Sequence, residues 1–125
     1  MKSIYTKNAS QPIGPYSQAV QAGNFVFVSG QVGRDYITGN MKTENIKAEA
    51  TQVMINIKTI LDATGLNMAS IVKTTIFLTN IDDFAQVNEV YASFFTGNFP
   101  ARETVQVSRL PLNANIEVSV IAVTE

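Results

Sequence analysis

The 125-residue chain contains no cysteine and no histidine. Without thiols there are no disulfides, no thiolate nucleophile and no thiolate metal site. Without imidazole, a Ser-His-Asp triad, a Cys/His zinc centre and the side chain that most often moves protons near neutral pH are all excluded. Charge is scarce as well: 15% of residues are charged, nine basic against ten acidic, for a net charge of −1. No block of like charge stands out, so a nucleic-acid or anionic-membrane surface has little electrostatic support. Residues 8–33 form the longest uncharged stretch, but Pro12, Pro15, Gly14, Gly23, Gly30 and Gly33 exclude a membrane span there. No apolar segment follows Lys2 and Lys7, so a secretory leader is not expected and the chain reads as cytoplasmic. Any catalysis falls to carboxylates, Arg, Lys, Tyr, hydroxyls or backbone groups.

What is present fits one domain over residues 1–125, long enough to bury most of a single core. Residues 17–22 and 24–28 read as two short strands turning at Gly23. Between 44 and 64 the residues Ile46, Ala50, Val53, Met54, Ile57, Ile60 and Leu61 recur at helical spacing, and Gly65 follows where a left-handed C-cap is wanted. Residues 71–78 form a strand apolar on both faces. Asp82-Asp83 offers capping oxygens for a second helix that carries Phe84, Val87, Tyr91 and Phe94 or Phe95 on one side. Gly97 and Pro100 end it, and strands over 101–107 and 115–123 follow. The order ββ-α-β-α-ββ predicts an α+β fold, a mixed sheet with two helices on one face. Two helices cover one side of such a sheet. Ile71, Val72, Ile76, Phe77, Leu78 and the run Val118, Val120, Ile121, Ala122, Val123 are apolar whichever way they point. The uncovered face therefore predicts association of subunits through the sheet.

Two residues could carry chemistry. Alternation sets Arg102 with Thr104 and Gln106 on one face of its strand, opposite Glu103, Val105 and Val107. Arg102 is either a solvated surface residue or the planar fork that grips a carboxylate in two parallel hydrogen bonds. Glu117 shares a face with Ser119, Ile121 and Val123 inside the most hydrophobic strand. It is either an outward-facing Glu near a strand start or a partly buried carboxyl, whose raised pKa suits acid–base work. Pro15 stiffens a turn that delivers Tyr16, and Gly30 after Ser29 lets a ligand approach the backbone. Gly30-Gln31-Val32-Gly33 lacks the Gly-Lys-Ser/Thr of a phosphate loop, and Asp82-Asp83 has no third oxygen ligand nearby to make a metal site.

Taken together, Ile13-Gly14-Pro15-Tyr16-Ser17-Gln18-Ala19, Phe27-Val28-Ser29-Gly30-Gln31, Asp83-Phe84 through Asn88 to Tyr91 with Phe94-Phe95, Pro100-Ala101-Arg102, and Arg109-Leu110-Pro111 with Ile116-Glu117-Val118 resemble the motifs of the reactive intermediate deaminase A (RidA, YjgF) family. The likeness covers nearly the whole chain. It implies a chorismate-mutase-like fold and a homotrimer whose sheets pack into a central barrel, with sites in the clefts between subunits. It also implies hydrolysis of 2-enamino and 2-imino acids to 2-oxo acids and ammonia, with no metal or organic cofactor. Carried onto this sequence, Arg102 would hold the substrate carboxylate and Glu117 would activate water. Ser29 and Gly30 would line the pocket, Tyr16 from the adjacent subunit would close a wall, and Asn88 would add a polar contact. Thr104 stands where many deaminase relatives carry Cys, Glu103 replaces a small or apolar residue, and the segment between Phe95 and Phe99 is shorter than in many relatives. The rival reading is a non-catalytic binder of 2-oxo acids that regulates amino-acid metabolism, which needs Arg102 but no base at Glu117. A translation-inhibitor or ribonuclease reading ranks third, because RNA binding by a chain of net charge −1 would be weak.

Overall fold

The computed structural model describes residues 1–124. The elements run β1 (Lys2–Ile4), β2 (Ala19–Ala22), β3 (Phe25–Gln31), α1 (Ile46–Asp62), β4 (Ile71–Leu78), α2 (Phe84–Ser93), β5 (Ala101–Gln106) and β6 (Ile116–Val123). They form one six-stranded sheet in the order β1-β2-β3-β6-β4-β5. Every neighbouring pair is antiparallel except β4 and β5, whose parallel pairing requires a crossover that α2 supplies. The expected mixed α+β sheet with two helices is therefore what forms. β1 is an addition: three residues beginning with a lysine carry too little pattern to announce a strand, and pairing with β2 creates it.

Helix α1 begins where the Asn45 side chain accepts the Ala48 N–H at 2.8 Å. It ends where Gly65, at φ +80°, lets the Leu66 N–H return to the Leu61 carbonyl at 3.1 Å. Between them Ala50, Val53, Met54, Ile57, Ile60 and Leu61 are buried against β3, β6 and α2. Burying each of the larger ones contributes about 1.5–3 kcal/mol. That stripe holds the helix, rather than the modest propensity of its isoleucines and threonines.

α2 starts differently from the expectation. The chain first makes a 3₁₀ turn over Ile81–Asp83, and Asn80, not Asp82 or Asp83, supplies the capping oxygen, to the Asp82 N–H at 3.0 Å. Asp83 occupies the cap position of the α-helix with no side-chain hydrogen bond. The turn begins before the acidic pair, so the orphan N–H groups lie within reach of Asn80.

In β6 the residues Ile116, Val118, Val120 and Ala122 are buried beneath the helices, while Glu117, Ser119, Ile121 and Val123 face the other way. That second face is apolar and uncovered in one chain. Phe25 and Phe27 stay 46% and 41% exposed with Val105 also open. At the β4–β5 edge the same face carries Lys73 bonded to Glu103 at 3.0 Å, and the Thr75 hydroxyl donates to Glu103. The Thr75 hydrogen bond, and then the Lys73 ammonium, hold the Glu103 carboxyl below the usual carboxylate range.

Candidate active site

Glu117 occupies the second position of β6, a central strand flanked by β3 and β4. The β3–β6 register shifts between Val28 and Gln31. Such an irregularity bends the strand and re-aims its residues. Gly30 thereby comes against the Glu117 carboxyl: a Cβ on Gly30 would lie 2.5 Å from Glu117 Oε2 and 2.7 Å from its Cδ. The close approach is available only to glycine. Burial pushes the Glu117 carboxyl above its ordinary value of 4.5, with no cation or hydrogen bond pulling against it.

Around this carboxyl a pocket of about 170 Å³ is lined by Tyr16, Gly30, Gln31, Pro111 and Leu112 among others. Ser29 lines an adjoining hollow with Tyr16, Gly30, Pro111 and Glu117. The Ile13–Ser17 stretch is folded onto the end of β3. The Ser29 N–H donates to the Gln18 carbonyl at 2.9 Å, and the Ser29 hydroxyl to the Ser17 carbonyl at 2.6 Å. Gln18 is buried and clamps the N-terminal segment with three bonds. It accepts the Thr6 N–H at 2.7 Å and donates to the Thr6 and Ser10 carbonyls at 3.0 and 3.1 Å.

A test follows from the Gly30 contact. Gly30→Ala is expected to keep the fold, because the obstructed atoms belong to the movable Glu117 side chain. The same substitution displaces that carboxyl, and a misplacement on the order of 1 Å costs about 10²-fold in rate. Thermal melting beside a turnover assay checks this; full activity in the alanine variant would remove Gly30 from the site.

Arg102 lies at the second position of β5, paired with Thr74 of β4. Its guanidinium carbon stands 5.0 Å from the Tyr91 ring centre and 5.5 Å from that of Phe84, both on α2. Phe84 and Tyr91 are two helical turns apart, so one face of α2 offers both rings. The Tyr91 hydroxyl donates to the buried Thr74 hydroxyl at 2.9 Å. Burial raises the Tyr91 pKa, with the Thr74 hydrogen bond and then the Arg102 charge acting in the opposite direction. Arg102 has no carboxylate partner among the described residues. It borders a hollow shared with Asn88, Tyr91, Phe99 and Pro100. A guanidinium placed over two rings without a carboxylate partner can meet an anion with its N–H groups.

One chain thus brings together Tyr16, Ser29, Gly30 and Glu117 in one place, and Arg102 and Asn88 in another. Arg102 is on the helix-covered side of the sheet and Glu117 on the bare side. Tyr16, expected from an adjacent subunit, shares a pocket with Glu117 of its own chain, because the Ser29–Ser17 and Ser29–Gln18 bonds fold its turn there. The Thr104 hydroxyl points inward, buried and without a hydrogen-bond partner among the described residues. Pro111 and Leu112, which the sequence motifs do not mark as pocket residues, line the Glu117 pocket. Leu112 adopts φ +60°, a conformation that nothing in its side chain announces. No group of three or more His, Cys, Asp or Glu side chains gathers as a metal site, and no helix is long and apolar enough to cross a membrane, among the described residues.

Fold and site together define a small α+β protein with, among the described residues, an arginine lacking a carboxylate partner and a half-buried carboxyl on opposite sheet faces. Residues 6–124 match the family model described as Endoribonuclease L-PSP. A protein from Dermatophagoides farinae named 2-iminobutanoate/2-iminopropanoate deaminase is 48% identical over 122 residues, covering 98% of this chain and 95% of that one. The Salmonella typhimurium protein of the same name is 46% identical over 125 residues, with 98% and 97% covered. The crystal structure of E. coli TdcF with bound serine superposes with a TM-score of 0.96 at 40% identity, over 100% of both chains. The chain belongs to this family, the YjgF/RidA family.

Proposed function

We propose that this protein hydrolyses 2-imino acids, and the 2-enamino acids that tautomerise to them, to 2-oxo acids and ammonia. The observation that carries the reading is a pair of groups: Arg102 over two rings of α2 with no carboxylate partner among the described residues, and Glu117 half-buried against Gly30. Because they occupy opposite faces of one sheet, a small substrate reaches both only across a subunit boundary. A homotrimer closed through the bare sheet face would bring Arg102 and Asn88 of one chain to Tyr16, Ser29, Gly30 and Glu117 of the next. The exposed Phe25, Phe27 and Val105 support that closure.

In this reading Arg102 holds the substrate carboxylate in a two-pronged grip, and the imine carbon comes beside Glu117. An iminium carbon is electrophilic already, so the protein's work is orientation and one proton shuttle. Glu117 takes a proton from water as the oxygen bonds to C2, giving a tetrahedral amino alcohol. It returns that proton to the nitrogen. As the C–N bond breaks and ammonia leaves, the C2 hydroxyl gives its proton to the Glu117 carboxylate and becomes the oxo group. The carboxyl then passes that proton to the ammonia, which departs as ammonium. Relatives at 46–48% identity named for this deaminase activity, and a relative crystallised with serine, another small amino carboxylate, support the assignment. A chain of net charge −1 without histidine offers nothing that favours RNA cleavage.

The test is hydrolysis of 2-iminobutanoate made in situ by threonine dehydratase and trapped by semicarbazide. The parent protein is expected to suppress trapping, and Arg102→Ala to restore it. No suppression by a folded, trimeric parent would remove the deaminase reading and leave 2-oxo-acid binding. Light scattering at micromolar concentration is expected to give the mass of three chains; a monomer would break the shared-site arrangement.

A further inference from the structure

Glu117 is approached by two pieces of chain, residues 30–33 leaving β3 and residues 111–115 leading into β6. One side chain outside the pocket touches both. Glu49, in the first turn of α1, is 1% exposed. Its two carboxylate oxygens accept from a single residue: Oε2 from the Asn115 N–H at 2.7 Å, Oε1 from the Asn115 side-chain amide at 2.8 Å. On its other side Glu49 packs against Gly33, where a Cβ would lie 2.8 Å from Glu49 Cγ and 2.9 Å from its backbone oxygen.

Asn115 stands two residues ahead of Glu117 and two residues past the end of the 3₁₀ turn Pro111–Asn113, with Ala114 between them. In that turn Leu112 and Asn113 sit at φ 60° and 53°, in the left-handed region. Non-glycine residues hold such a conformation in succession only where their surroundings impose it. Pro111 and Leu112 form a wall of the Glu117 pocket. A carboxyl is an expensive group to bury for packing alone. Its two bonds to Asn115, in the short link between the turn and β6, give it a reason to be there.

We propose that Glu49 is a positioning residue for the Glu117 site: by gripping Asn115 with both oxygens it holds the left-handed turn and the start of β6 in place. Glu117 is thereby kept against Gly30. The kinetic part of this inference rests on the deaminase reading; the structural part does not.

The test uses Glu49→Gln, which keeps shape and size but turns an amide NH₂ toward one of the two Asn115 donors; Glu49→Ala is the harsher companion. Hydrogen exchange is expected to lose about ten-fold or more protection at the amides of residues 112–115. Val118 and Val120 should keep theirs. In the imine assay kcat should fall roughly ten- to hundred-fold with KM within about two-fold. That loss should vanish in a Glu117→Gln background, as it must if Glu49 acts through Glu117. Unchanged protection at 112–115, or losses that add with Glu117→Gln, would overturn the proposal. Should the parent show no turnover, the deaminase reading has failed, and amide exchange alone decides whether Glu49 is the clamp.

Discussion

Arg102→Ala is expected to lower kcat/KM by about 2–5 kcal/mol of lost carboxylate binding, roughly thirty-fold to a few thousand-fold. The fold should remain, because the contact of a half-buried guanidinium with the Phe84 and Tyr91 rings is worth only about 0.5–2 kcal/mol. Arg102→Lys separates charge from geometry. Lysine keeps the positive charge but loses the planar fork and the seat on the two rings, so it should recover only part of the loss. Steady-state kinetics on the three proteins, with melting temperatures alongside, decide the matter. Equal activity in all three would remove Arg102 from the site.

The second large effect belongs to Glu117. Glu117→Gln is expected to leave KM within about three-fold and reduce kcat by about 10²–10⁴-fold, the usual worth of a positioned acid–base group. In the proposed mechanism the parent works through the ionised carboxyl, and burial raises its pKa above 4.5. The acidic limb of the kcat/KM profile should therefore sit above the ordinary carboxylate range, and the glutamine variant should lack it. Stability runs the opposite way. The folded chain binds this proton more tightly than the unfolded chain, so the parent loses stability as pH rises from the unfolded value through the raised folded one. Glu117→Gln should then melt higher than the parent at neutral pH and match it below about pH 4. A variant less stable at neutral pH, with kcat and KM equally damaged, would make Glu117 a structural residue.

These two variants, Gly30→Ala and the Glu49 series probe separate parts of one arrangement. Arg102 tests the anion grip, Glu117 the proton shuttle, Gly30 the room that the carboxyl occupies, and Glu49 the frame around it. The Arg102 variants should move KM, whereas the others should move kcat. A common loss of melting temperature across all four would instead point to the fold.

What was legible in the sequence was whatever a few neighbouring residues encode. The stripe from Ile46 to Leu61, closed by Gly65, is a local period, and α1 forms within two residues of it at each end. Alternation in β6 set Glu117 against Ile116 and Val118, and the absence of Cys and His narrowed the chemistry to groups such as Arg102 and Glu117 before any fold was known. Alternation in β5 grouped Arg102 with Thr104, but neither face of that strand is apolar enough to say which one meets the core. Only packing against α2 turned Arg102 to the helix side, away from Glu117. The shift that turns Gly30 onto Glu117 arises between β3 and β6, and the Glu49–Asn115 grip joins residues 66 apart. Such long-range partners leave no mark in their own neighbourhoods, because strand order and register follow from burying every apolar face at once. The residue types and their local spacing determined the helix stripe, the strand alternation and the chemistry on offer; the tertiary structure alone decided which faces, and which distant residues, came together around it.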